Sequence, residues 1–216
     1  MRKRVQGLSC LFIYMMLNLS ACLEAPAPED TVLKAIGPEN ELSITPSETQ
    51  TADFAAKNTD FVRTYDKDEC FNITPDFVAG HSDFSIFKYD TSTESFIMYD
   101  DEIYSIGPCI GGYGLTSVAL ADLNRDGQRE LYYTFSWGSG RHRSHIGYFD
   151  PVNREVMVLE YALFDNDMMV TVNEYGDLCV HRAEIETDSY VEFSVKAQEL
   201  IGRIGVQGDE IALEVE

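Results

Sequence analysis

The chain has 216 residues, 37 of them acidic and 16 basic, for a formal charge of −21 at pH 7. That length holds one domain with appendages and is enough to bury a real core. The charge repels phosphate backbones and anionic headgroups, which argues against nucleic acid as a partner.

The first residues carry the marks of an export signal. Arg2, Lys3 and Arg4 form a basic head, residues 8–19 an apolar stretch too short to span a bilayer with ordinary flanks, and Ser20 and Ala21 are small. The run Leu19-Ser20-Ala21-Cys22 resembles the lipobox of bacterial lipoproteins. The resemblance implies that residues 1–21 are removed, that Cys22 is lipidated, and that the product is extracytoplasmic and held to a bacterial membrane. A thiol is what a diacylglyceryl thioether requires, and several acyl chains anchor where one would bind only reversibly. Loss of Arg2, Lys3 and Arg4 takes the formal charge from −21 to −24. Such acidity suits a cation-rich exterior, where a weak Ca²⁺ site stays filled.

Residues 22–50 are rich in Pro, Glu, Thr, Ser and Ala and poor in aromatics, the composition of a flexible tether. The folded domain is therefore expected over 51–216. Phe54, Phe61, Val62 and Tyr65 recur at helical spacing, so one short amphipathic helix is predicted within 52–65. The pattern then changes to strands at 82–90, 95–100 and 102–106, broken by turn chemistry such as Asp90-Thr91-Ser92-Thr93. Further runs follow at 145–149, 155–160, 168–172, 178–181, 190–195, 201–206 and 211–215. With the hairpin described next, about twelve short strands and one helix predict a mainly β fold. Blade-like antiparallel meanders closing into a compact sandwich or barrel, or a partial propeller, fit that count.

Between the apolar run 118–121 and the aromatic run 131–137 lies Asp122-Leu123-Asn124-Arg125-Asp126-Gly127-Gln128-Arg129-Glu130. Asp122, Asn124 and Asp126 alternate, so a tight loop can turn three side-chain oxygens inward. Gly127 supplies the sharp turn, the Gln128 carbonyl offers a fourth ligand, and Glu130 a fifth. Hard oxygen donors at this spacing suit Ca²⁺. The twelfth position counted from Asp122 is Tyr133, which cannot serve as the bidentate Glu of an EF-hand, and the flanks read as strands rather than helices. Over 115–159 this unit resembles the FG-GAP or VCBS repeat, the blade motif of integrin-like β-propellers. That likeness implies Asp122, Asn124, Asp126, the Gln128 carbonyl and Glu130 as calcium ligands. Arg125 stands where the family commonly has a small residue such as Gly.

Trp137, Arg141, His142, Arg143 and His145 form the one basic cluster of an acidic chain. It could receive a carboxylate, sulfate or sugar, with Trp137 stacking and the arginines donating paired bonds, or it could be a loop whose cations pair with acidic neighbours. His142 and His145 lack the adjacent carboxylate of a metalloprotease helix. Asp165-Asn166-Asp167 offers either a second weak cation site or a plain acidic turn. Of the cysteines outside the leader, Cys70, Cys109 and Cys179 permit one disulfide with three choices of pair.

These readings converge on a lipid-anchored, calcium-stabilised β module that acts by binding an unidentified protein or small molecule. The alternatives are a small extracytoplasmic hydrolase using the loop from Arg141 to His145, and a structural or scaffolding lipoprotein.

Overall fold

The computed structural model describes residues 33–59, 68–107, 111–208 and 210–216. Cys22, the leader, residues 60–65 of the predicted helix, and Cys109 lie outside them. Residues 31–216 form one compact unit.

The elements in chain order are β1 (Glu41–Ile44), α1 (Thr51–Lys57), β2 (Cys70–Asn72), α2 (Asp76–His81), β3 (Ser85–Tyr89), β4 (Ser95–Tyr99) and β5 (Glu102–Ser105). They continue with β6 (Gly114–Ala121), β7 (Glu130–Trp137), β8 (Arg143–Asp150), β9 (Glu155–Phe164), β10 (Asp167–Val172), β11 (Leu178–Thr187), β12 (Phe193–Gln207) and β13 (Glu210–Val215). The mainly β expectation holds. Three antiparallel sheets follow one another along the chain, each built on a four-strand meander: β2-β3-β4-β5, β6-β7-β8-β9 and β10-β11-β12-β13. They remain separate sheets, and no barrel closes among the described residues.

The second sheet is the centre of the molecule. Along β6 and β7 nearly every residue is buried, on both faces, which explains their near-continuous apolar sequence. One face, with Leu115, Val118, Leu120 and Tyr133, joins a core shared with Ile86 and Ile97 of the first sheet and Val195 of the third. The other face, with Ala119 and Tyr132, packs on Val170, Val180 and Ile204 of the third.

Where the third sheet meets the second, an edge is set against a face. β10 pairs only with β11, so its outer backbone groups need other partners. Hydroxyls of the second sheet supply them. The Met168 N–H donates to Ser144 Oγ (3.2 Å), its carbonyl accepts from Thr134 (2.9 Å) and Thr116 (3.2 Å), and the Val170 N–H donates to Ser117 Oγ (2.8 Å). A bulge in β6 makes this possible. The register with β7 shifts between Leu115 and Ser117, leaving Thr116 as an extra residue, so two consecutive hydroxyls reach Thr134.

The expected tether over 22–50 is corrected for its described part. Residues 33–50 run as a strap along open strand edges of all three sheets. Ile36 exchanges backbone bonds with Leu120 of β6, the Pro38 carbonyl accepts from Val172 of β10, and Ser47 exchanges bonds with Asn72 of β2. β1 pairs with the first half of β12, while β13 pairs with the second half. Gly37 is squeezed between β6 and β10; a Cβ there would lie 2.8 Å from that of Ala119 and 2.9 Å from a Val172 methyl.

Other differences have local causes. The predicted strands 190–195 and 201–206 are one strand, β12, because the polar stretch between them is an exposed, bulged part of the ladder and not a turn. β2 and α2 were not anticipated; α2 is announced by Pro75 followed by Asp76 at its start. The predicted helix is present as α1, anchored by Phe54, which stacks on Phe87 at 4.3 Å. No bond joins Cys70 to Cys179.

Lys88 of β3 is fully buried, donating to the Leu115 carbonyl at 3.2 Å and lying 4.4 Å over the Phe193 ring. Burial pushes its ammonium down to about 7, with Asp167 opposing the shift. The unfolded chain therefore binds more protons than the native one between pH 7 and 10.5, so Lys88 makes stability rise with pH across that window. Lys88→Met should flatten the rise and add roughly 1–4 kcal/mol at pH 7, read from urea denaturation of both proteins at pH 7 and pH 9.5.

Candidate metal centre and the groove beside it

The acidic loop closes the hairpin between β6 and β7, where Ala121 pairs with Glu130. Strands on both sides make it a hairpin loop and exclude an EF-hand. Asp122 and Glu130 sit at the strand ends with 4% and 0% exposure, held there because the hairpin mouth is packed between Tyr132 and the strap. Asn124 and Asp126 are exposed.

The loop is organised by its own side chains. Asn124 Oδ1 accepts from the Asp126 N–H (3.0 Å), Asp126 Oδ1 from the Gln128 N–H (2.8 Å), and Asp122 Oδ2 from the Gly127 N–H (3.2 Å). Glu130 Oε2 accepts from the Leu123 N–H and the Tyr132 hydroxyl, both at 3.0 Å. These bonds use one oxygen of each buried carboxylate. The other oxygens, Asp122 Oδ1 and Glu130 Oε1, are buried with no hydrogen-bond partner.

Two buried acceptors of like charge without donors would be costly. A cation removes that cost. Asp122, Asp126 and Glu130 each offer an oxygen within 4.8 Å of the others. Ligands of one Ca²⁺ can be no more than about 5 Å apart, twice a bond of roughly 2.3–2.6 Å. The donors are all hard oxygens, and the residues present therefore fit the ion. Burial pushes the Glu130 carboxyl up to about 7, and the charges of Asp126 and Asp122 add to the rise. A bound divalent cation would reverse that balance and hold the carboxylate ionised.

Arg125 resolves the departure from the repeat's usual small residue. It has φ 61 and Gly127 has φ 88, so the loop takes the left-handed region twice. Gly adopts that region freely; Arg does so at a cost.

The basic cluster is held by its neighbours. His145 stacks on Phe135 (5.4 Å) and Trp137 (6.1 Å), and Arg143 lies 5.0 Å over Trp137. Arg141 sits 5.2 Å over Phe164, with its Nε 3.6 Å from Asp165. His142 Nε2 is 2.6 Å from Asp167 Oδ1. Asp165 and Asp167 thus face the cations of the neighbouring hairpin, a pairing legible only as opposite charge on two adjacent turns. Burial raises the Asp167 carboxyl and lowers the His145 imidazole. Among the described residues the one grouping of three acidic, imidazole or thiol ligands is Asp122, Asp126 and Glu130.

A large depression of the surface lies elsewhere, beside the acidic loop. It is an open groove of about 1350 Å³, walled by residues 121–125, the strap at 33–35, Tyr148, Asp150 and Asn153, β9 at 157–160, the turn at 175–177 and the end of the chain's last hairpin at Val206, Gly208, Glu210 and Ile211. Sequence reasoning missed it because its walls come from segments far apart in the chain. The consecutive apolar pair Met157-Val158 on a half-exposed strand was the available signal.

Searches against family models, curated proteins and solved structures find no match to the chain. The likeness of residues 115–159 to a propeller repeat therefore rests on the loop residues themselves.

Replacing Arg125 by Gly should relieve the left-handed strain and raise stability by on the order of 1 kcal/mol, seen as a higher melting temperature than wild type in the same buffer.

Proposed function

We propose that this chain is a calcium-stabilised binding module, exported and anchored outside the cytoplasm by lipid on Cys22. The observation that carries the ion is the pair of buried, unpartnered oxygens on Asp122 and Glu130, which face a common point with Asp126. Asn124 and the Gln128 carbonyl complete the ligand set by the repeat resemblance. Ca²⁺, once bound, supplies positive charge that ties the ends of β6 and β7 together; the residues fix its position.

Binding is favoured over catalysis by the shape of the surface. The hydrolase reading would use His142, and a carboxylate does stand beside it in Asp167. That dyad, however, lies outside the large groove, and the rest of the cluster is engaged with aromatic rings and Asp165. The formal charge of −21 disfavours nucleic acid as the ligand. Among the described residues no helix is long and apolar enough to cross a membrane, so lipid on Cys22 is the anchor proposed.

An ion bound only by the native state adds RT ln(1+[L]/Kd), about 2.7 kcal/mol at a hundredfold excess over Kd. The melting temperature should therefore fall when Ca²⁺ is replaced by chelator, and Asp126→Ala should abolish the difference. Mg²⁺ should substitute poorly, because it demands a smaller octahedral shell. Identical melts with Ca²⁺ and with chelator would remove the ion from the reading. For the anchor, fatty-acid labelling of cells should mark the wild-type protein and leave Cys22→Ser unlabelled; equal labelling of both would refute it.

A further inference from the structure

The groove beside the acidic loop is bounded by strands that lack a neighbour. β9 is the last strand of its sheet and pairs only with β8; β13 pairs only with β12. Each presents one unpaired edge, and residues 157–160 of β9 and 210–211 of β13 both line the groove. Open backbone edges with this much room beside them are templates for an added strand.

The side chains around these edges are unusual for a solvent-facing surface. Met157, Val158, Tyr175 and Val206 are 43%, 48%, 79% and 50% exposed, and all four line this one groove. An apolar cluster with a polar rim is the composition of an interaction surface. Its rim is acidic. Asp150 is occupied in capping its own turn and Asp177 faces Arg203 at 3.3 Å, but Glu160 and Glu210 have no ion-pair partner among the described residues. The cations of the groove are Lys34 and Arg125. Its volume, about 1350 Å³, exceeds the roughly 300–1,000 Å³ of small-molecule sites.

We propose that the groove takes an extended peptide segment in which apolar residues alternate with Lys or Arg, added as a strand to the open edge of β9. The β9 backbone would supply hydrogen bonds, Met157 and Val206 would receive the apolar side chains, and Glu160 and Glu210 would pair with the cations. Alternation follows from the strand itself, whose successive side chains point to opposite faces. Charge decides between this partner and a second copy of the chain. A copy would bring a net charge of −21 and the same glutamates to the edge, whereas a basic strand is attracted. This inference deepens the binding reading by naming its partner, and it needs the fold rather than the ion.

The test uses the full chain at about 0.15 M salt and three short capped peptides: alternating Lys and Val, alternating Glu and Val, and alternating Lys and Pro. Titration calorimetry should show binding of the Lys-Val peptide alone. The Lys-Pro peptide keeps the charge but lacks half the N–H donors and cannot complete a ladder. Glu160→Lys combined with Glu210→Lys should weaken Lys-Val binding by on the order of tenfold or more. Glu48→Lys combined with Glu192→Lys, outside the groove, should leave it within about twofold. Glu160→Gln combined with Glu210→Gln should weaken it less than the Lys reversals but more than about twofold, and the melt of each variant should match that of wild type. Equal binding of Lys-Val and Lys-Pro, equal loss in both Lys pairs, or no binding at all would overturn the proposal. So would a concentration-dependent dimer of the protein alone that the Glu160 and Glu210 reversals dissolve. The melt in chelator reports on the ion and the peptide titration on the groove, so either reading can fail without the other.

Discussion

The open edge of β10 meets the face of the second sheet, and the arrangement of the domain depends on how that meeting is satisfied. A strand edge laid against an apolar face would bury unpaired N–H and C=O groups, each costing about 1–3 kcal/mol. Ser117, Thr116, Thr134 and Ser144 convert the face into a row of donors and acceptors spaced to meet Met168 and Val170. All four hydroxyl residues are fully buried. The third sheet is thereby fixed in both position and register on the second, since a slip of one residue would set the β10 donors against the wrong partners. The bulge at Thr116 belongs to the same device, because a regular strand would point Thr116 and Ser117 to opposite faces.

The acidic loop depends on the same frame. Asp122 and Glu130 are buried because β6 and β7 are buried on both faces up to their ends, so a hairpin that in a half-exposed sheet would be a solvated turn here becomes a place where charge must be balanced. The strap contributes directly: Arg129 reaches back to the Lys34 carbonyl at 3.2 Å, joining the end of the loop to the segment that also bridges β6 through Ile36. The acidic loop, strap and groove are thus neighbours, and an ion held by the loop would brace one wall of the groove.

Local spacing made part of this legible and long-range geometry hid the rest. The loop could be read because its donors lie within nine consecutive residues, and the strands because alternation and turn residues are local properties. The strap could not, since its contribution is backbone hydrogen bonding to edges formed from 25 (Ser47 with Asn72) to 149 residues away (Ile44 with Phe193), and its side-chain signal is the short alternation of Leu42 and Ile44. β12 was divided because a bulge and a turn both look polar in sequence. The pairing of His142 with Asp167 and the groove walls were invisible for one reason: each joins segments that only tertiary structure brings together.

The strap also orders events in time. β1 finds its partner only when β12 exists, and Ile44 and Phe193 are 149 residues apart. Non-local pairing of this kind is slow, because loop-closure entropy is lost before contacts repay it. A chain so wired resists finishing its fold before both segments are present. Under the export proposed above that delay would be a benefit, since the same stitching would keep the domain pliable until both have arrived.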